Sequence, residues 1–138
     1  MAVAIPYATR SNESLKMKQE CLSMADAVKY VIDLAAESKK PTRIIIDPAN
    51  NIYWLETATS ISDRDYMRLE DFGGDERSLG RSVKIMDVEG FETEGRRHSL
   101  TFEPTRPWPS ASISLTSGDE VRTIKINGKQ VEIEEPDI

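Results

Sequence analysis

The sequence predicts an α+β domain in which one long N-terminal helix packs on an antiparallel β-sheet region of about six or seven strands. Between residues 8 and 38, apolar side chains recur at spacings of three, four and seven, which is the spacing of one helix face. After Pro41 the period changes to two, as in strands. Near the end of the chain, Asn127-Gly128 is a strong hairpin signal, because type I′ turns need positive φ at both central residues.

The predicted helix has one apolar face, and charged residues fill the positions between its members. The face consists of Leu15, Leu22, Ala25, Val28, Ile32 and Ala35. Such a helix would be more than about 40 Å long, which exceeds what a domain of this size can cover, so its N-terminal part should protrude. Lys39 and Lys40 suit the negative end of the helix dipole, and Pro41 stops the helix.

The strands are predicted from short runs of period two, separated by turn residues. They cover residues 43–47, 52–57, 83–88, 99–102, 111–115, 121–126 and 130–133. The segment 59–80 is polar and irregular, with one short strand around 67–69 and few apolar residues to hold it: Tyr66, Met67, Leu69 and Phe72. Residues 1–138 are therefore predicted to form a single domain, with the helix over 1–40 and a β-rich head over 41–138.

Composition limits the classes of function. The net charge of −6 and the scattered basic residues argue against a nucleic-acid partner. Cys21 is the only cysteine, so the chain can form neither an intramolecular disulfide nor a cysteine-based metal site. No stretch approaches the roughly 20 apolar residues of a membrane-spanning helix. The unbroken apolar run from Met1 to Ile5, ending at Pro6, looks like the end of a longer apolar helix.

Catalysis is not expected. Cys21 and His98 could form a nucleophile pair, but the sequence suggests no third, orienting group. The sequence contains no Gly-x-Ser-x-Gly, His-Glu-x-x-His or phosphate-loop motif. We therefore predict a protein that is not an enzyme and binds no cofactor or metal.

Two further patterns are open to a binding interpretation. Acidic residues in the polar segment could gather around Ca²⁺, although their spacing lacks the features of an EF-hand and favours a solvated loop. These residues are Asp63, Asp65, Asp71, Asp75 and Glu76.

Trp54 and Trp108 could bind a sugar or a peptide. Core packing is the simpler expectation for Trp54, whereas Trp108 lies between two prolines in a loop and is the better candidate for a partner contact.

Two separated segments carry a family resemblance. The first joins the helix to a hairpin, and the second is a C-terminal block of strands and glycine turns. The first contains Ala25-Asp26-Ala27-Val28, Ile44-Ile45-Ile46-Asp47 and Tyr53-Trp54-Leu55. The second contains Leu100-Thr101-Phe102-Glu103-Pro104, Ser112-Ile113-Ser114-Leu115, Gly118, Thr123-Ile124-Lys125-Ile126 and residues 128–131. Together with the apolar start, these segments resemble the minor pseudopilin H class of type II secretion (GspH) and the related FimT proteins.

The resemblance implies a pilin-like fold and a structural role. It implies a membrane helix ahead of this chain, cleavage by prepilin peptidase with methylation, and a head in the periplasm above the bacterial inner membrane. The implied partners are other major and minor pseudopilins. We expect partner contacts at the helix start and on the head, at Ile5, Pro6, Tyr7, Leu15, Tyr66, Phe72 and Trp108. The alternatives are a minor type IV pilin for motility or DNA uptake, which the acidic segment 132–137 disfavours, and a free-standing β-rich ligand-binding module.

Overall fold

The computed structural model describes residues 4–60, 65–69 and 76–134, with side chains described from Ser14 onward. Helix α1 (Ala4–Ser38) is followed by ten strands in this part of the chain. The strands are β1 (Thr42–Asp47), β2 (Ile52–Ala58), β3 (Tyr66–Arg68), β4 (Arg77–Ser78), β5 (Lys84–Glu89), β6 (Glu92–Glu94), β7 (Arg97–Phe102), β8 (Ser110–Ser117), β9 (Glu120–Asn127) and β10 (Gln130–Glu134). The predicted α+β class is confirmed. The two additional strands, β4 and β6, are only two and three residues long.

The strands form two antiparallel sheets. The first has the order β3-β2-β1-β7-β6, with β4 also paired to β2, and the second has the order β10-β9-β8-β5. The chain crosses from the second sheet to the first at Gly90, where φ is +80°. A Cβ atom there would lie 2.5 Å from the carbonyl oxygen of Ser110, so the crossing requires glycine.

Helix α1 packs on both sheets, contacting β1 and β7 of the first and β8, β9 and β10 of the second. Its main buried stripe runs in alternating steps of four and three through Met17, Cys21, Met24, Val28, Val31 and Ala35, with Ala27 also buried beside it. The predicted apolar face was therefore wrong at Leu22, which is 47% exposed, whereas Leu15, expected on the protruding helix start, is 55% exposed. The prediction weighted the large leucines, whereas the sheets select a stripe that includes two methionines and the cysteine, rotated around the helix.

The helix begins earlier than predicted and ends where expected. Its backbone is helical from Ala4, four residues before the predicted start, so the whole element is about 50 Å long. At the other end, Lys39 adopts φ +62° and its N–H donates to the carbonyl of Ala35 at 3.1 Å. This left-handed cap ends the helix before Pro41.

The last hairpin corrects the predicted turn. Asn127 pairs with Gln130, so the two loop residues are Gly128 and Lys129. Gly128 has φ +65°, whereas Lys129 is not among the residues with positive φ. Glycine at the first loop position with positive φ there alone fits a type II′ turn rather than the predicted type I′. The loops at Gly95 and Gly118 repeat this arrangement.

Candidate assembly surfaces

Leu15 and Leu22 form an exposed apolar stripe on the helix, which we call the leucine stripe. They are seven residues apart, so they lie on the same side of α1, two turns apart. The sheets cover a different side of the helix, because the buried stripe runs through Met17 and Met24. The backbone of Ile5, Pro6 and Tyr7 continues the same helix, and their side chains lie outside the described part.

The outer face of the first sheet, which points away from the helix, carries an unpredicted cluster of arginine and aromatic side chains. Trp54 points to this face because its neighbours Tyr53 and Leu55 both belong to the core under the helix. Trp54 nevertheless is only 3% exposed. The guanidinium of Arg68 lies 4.4 Å from the centroid of this ring, and that of Arg97 lies 5.0 Å from it. The burial of Trp54 was therefore predicted correctly, but the ring is covered by arginines on the outer face and does not pack in the core under the helix.

The same cluster holds Tyr66, one of the predicted partner contacts. The guanidinium of Arg43 stacks 3.8 Å from the centroid of the Tyr66 ring. Arg43 Nε also donates to Glu56 Oε1 at 2.6 Å, while the indole N–H of Trp54 donates to Glu56 Oε2 at 2.8 Å. Glu56 thus joins both aromatic contacts, and Tyr66 is half-buried in this network. A contact of Tyr66 with a partner stays a prediction.

The other two predicted head contacts differ in their placement. Trp108 is half-buried against the core, with its ring centroid 6.0 Å from that of Phe102 and the two ring planes tilted by 52°. It therefore covers the end of β7, and any partner contact would involve only the remaining exposed part of the ring. Phe72 lies outside the described residues.

A polar group connects the helix to the end of the segment 59–80. The side chain of Arg77 on β4 hydrogen-bonds Tyr53 on β2 and faces Glu20 on the helix. Burial raises the pKa of Glu20 above its usual value, and the positive charge of Arg77 offsets part of that effect. Burial likewise raises the pKa of Tyr53. This group is a structural joint between α1, β2 and β4.

The possible nucleophile pair does not form. Cys21 is fully buried, with its sulfur 4.0 Å from the sulfur of Met17, and burial raises the pKa of the thiol to about 11. His98 lies on β7, and its Nδ1 is 3.0 Å from the hydroxyl oxygen of Thr93. A protonated, inaccessible thiol is unsuited to nucleophilic attack.

Most of the acidic residues weighed as Ca²⁺ ligands against a solvated loop lie outside the described residues. Asp63, Asp71 and Asp75 belong to that undescribed set, whereas Glu76 forms an ion pair with Arg68 at 3.1 Å. Within residues 4–60, 65–69 and 76–134, no group of three or more potential ligand side chains could hold a metal ion. The helix found in that part of the chain also lacks an apolar stretch long enough to cross a bilayer.

Two solved structures of the minor pseudopilin EpsH from the type II secretion system of Vibrio cholerae share this architecture. The first superimposes with a TM-score of 0.68 at 16% sequence identity, covering 86% of this chain and 96% of that one. The second gives 0.70 at 13% identity, covering 89% and 96%. No family model and no curated protein matches the sequence. Identity this low establishes the fold alone, and the chain therefore has the pilin-like fold of these minor pseudopilins, as the sequence predicted.

Proposed function

We propose that the chain is a structural subunit of a periplasmic pseudopilus, a minor pseudopilin of a type II secretion-like system that assists protein export. The observation that carries this proposal is the shared fold, which extends over 86–89% of this chain and 96% of each EpsH chain. Agreement over almost the whole of both molecules favours a common architectural role more than a shared subdomain would. The order of the two resembling sequence segments supports the same assignment.

The proposed mechanism is assembly and needs no active site. The leucine stripe is available to neighbouring subunits because it faces away from both sheets. Fully burying one leucine side chain contributes about 1.5–3 kcal/mol, so a repeated helix contact through this stripe would stabilise a fibre. In this proposal the helix leads towards the inner membrane, and the head lies in the periplasm.

The contacts we assign fall in two regions. The first is the helix start, comprising Ile5, Pro6, Tyr7 and Leu15. The second is the head, where Tyr66, Phe72 and Trp108 would meet other pseudopilins. The outer-face arginine cluster borders Tyr66. A partner seated there would therefore also lie close to Arg43.

The first experiment tests export and fibre packing together. The gene is deleted in its host and the release of secreted proteins is measured. A Leu15→Cys variant of the full-length protein is then tested in living cells for cross-linking to other pseudopilins. We expect export to fall on deletion, and Leu15→Cys to cross-link while Lys39→Cys, just beyond the other end of the helix, does not. Normal export in the deletion strain, or equal cross-linking from both positions, would contradict the proposal.

The second experiment tests the head contacts. Residues 70–75, which include Phe72, are replaced by a glycine-serine segment of equal length, leaving β3 and β4 unchanged. Affinity for partner minor pseudopilins should fall while the melting temperature stays the same. Unaltered affinity would remove Phe72 from the contact region. Salt-dependent binding of the wild-type chain to duplex DNA would instead support the DNA-uptake alternative.

A further inference from the structure

The last strand, β10, has a free edge whose backbone groups are unpaired in the described structure. In its antiparallel pairing with β9, the hairpin pair Asn127 and Gln130 exchanges hydrogen bonds. Hydrogen-bonded and non-hydrogen-bonded pairs alternate from there, so Val131 and Ile133 direct their N–H and C=O groups away from β9. No hydrogen bond of the described structure uses these four groups. They present the pattern to which a further strand can add.

The other described edges are short or blocked. Strand β6 has three residues, and β3 and β4 have three and two. Strand β5 is longer, but its register shifts between Ile85 and Asp87, which marks a bulge. The side chain of Asn51 also occupies its edge: Asn51 Nδ2 donates to the carbonyl of Val83 at 2.8 Å, and its Oδ1 accepts from the N–H of Ile85 at 2.9 Å. Among the described edges, β10 alone has five regular residues without such a block.

We infer that the free edge of β10 is a docking site for an extended segment of another polypeptide, in which apolar residues alternate with basic ones. The inner side chains of β10, Val131 and Ile133, are half-buried against the core and would lie beside apolar residues of the added strand. Its outer side chains Glu132 and Glu134 are exposed and acidic, which favours basic residues beside them. The inference concerns this edge alone and does not depend on the pseudopilus role.

A second copy of the chain is the less suitable occupant. If two β10 edges paired antiparallel, the outer faces would place Glu132 and Glu134 of one copy beside the same glutamates of the other. Like charges directly opposite each other destabilise a strand pair. Lys125 forms an ion pair with Glu134 at 3.2 Å, but it lies on β9, on the side opposite to the free edge. The edge therefore disfavours self-association and selects a partner of opposite charge.

The test uses the 138-residue chain and short synthetic peptides in which valine and lysine alternate. Binding is measured by fluorescence anisotropy, and amide exchange is followed by NMR. We expect saturable binding that slows exchange at Val131 and Ile133. A peptide N-methylated on the groups that face β10 should not bind, because its strand donors are removed. Replacing lysine by glutamate in the peptide should also abolish binding.

Paired variants identify the edge. The double variant Glu132→Gln, Glu134→Gln should weaken binding by about fivefold, given the usual size of cross-strand charge pairs. The matched double variant Glu92→Gln, Glu94→Gln on the short edge β6 should bind as wild type does. Equal binding of the N-methylated peptide, equal effects of the two double variants, or a dimer of the chain detected by sedimentation would each overturn the inference.

Discussion

Lys39 and Asn51 adopt nearly the same left-handed backbone conformation, with φ of +62° and +57°, for different structural reasons. Lys39 ends the helix, and its backbone N–H makes the capping hydrogen bond. Asn51 closes the β1–β2 turn, and its amide ties that turn to Ile85 of the other sheet and to Val83 just before it. The same φ therefore reflects a backbone requirement at one position and a side-chain requirement at the other.

Glycine substitution separates these two requirements. Lys39→Gly should raise the free energy of unfolding by about 0.5 kcal/mol, since the relief of left-handed strain exceeds the added chain entropy. Asn51→Gly should lower it by about 1–3 kcal/mol, because two partly buried backbone groups lose their partner. Urea denaturation of both variants measures the difference. A stabilising effect at Asn51 would show that the link between the sheets contributes little.

Cys21 should be unreactive in the folded protein. Its burial raises the pKa of the thiol to about 11, so at pH 8 only about one molecule in a thousand carries the thiolate, even before access is considered. We expect Ellman's reagent to modify Cys21 only after unfolding in guanidinium. The folded pKa exceeds the ordinary thiol pKa of 9.0, so this group lowers stability as the pH rises from 9.0 towards 11. Rapid modification of the folded chain would contradict this assignment.

At the scale of the elements, the helix shows how burial is distributed. Met24 is fully buried, whereas Leu22, two residues earlier, is 47% exposed. The two residues are similar in size and hydrophobicity, so their contributions to folding are set by which side of the helix they occupy.

Alanine substitution at these two positions measures that difference. Met24→Ala should lower the free energy of unfolding by about 2–4 kcal/mol, because it leaves a cavity between the helix and the sheets. Leu22→Ala should change it by less than about 0.5 kcal/mol. Thermal unfolding of the two variants gives the comparison. A large loss of unfolding free energy in Leu22→Ala would support the helix face predicted from the sequence.

Strand alternation predicted most of the sheets, because period two is a local property of the sequence. The hairpin β9–β10 was located to within a residue, and Ile124 and Ile126, on either side of the exposed Lys125, are both buried. Strands β4 and β6 were missed because two or three polar residues carry no detectable period. Their strand structure arises from pairing: β4 pairs with β2, which is distant in sequence, and β6 pairs with the neighbouring β7.

The candidate surfaces were predicted less completely, because they depend on contacts between residues that are far apart in sequence. Exposure of Leu15 depends on which helix stripe the two sheets select, and that choice involves residues far apart in sequence. The burial of Trp54 depends on Arg68 and Arg97, which arrive from β3 and β7. The turn position fixes which backbone groups of β10 point away from β9, but the position of β10 at the edge depends on the order of the strands in the sheet.

At the scale of the whole molecule, Glu20, Tyr53 and Arg77 join three separate elements around one polar contact. Arg77 pairs in register with Tyr53, so both side chains lie on the sheet face that the helix covers. Glu20 approaches them from the helix. The return of the segment 59–80 to the sheet is thus connected to the position of α1.

This joint makes the stability of the fold depend on pH. Burial raises the folded pKa of Glu20 above its ordinary value of 4.5, and Arg77 only partly offsets it. The ionised carboxylate is therefore disfavoured in the folded state: its cost is absent well below pH 4.5 and fully present once the pH exceeds the raised pKa.

Glu20→Gln should match wild type in acid and be more stable at about pH 7. Arg77→Met should be less stable than wild type at that same neutral pH, because the carboxylate loses its nearby positive charge. Urea denaturation from about pH 3.5 to about pH 7.5 measures both differences, and a stability gap between Glu20→Gln and wild type that does not widen with pH would show that Glu20 is fully solvated rather than part of the joint.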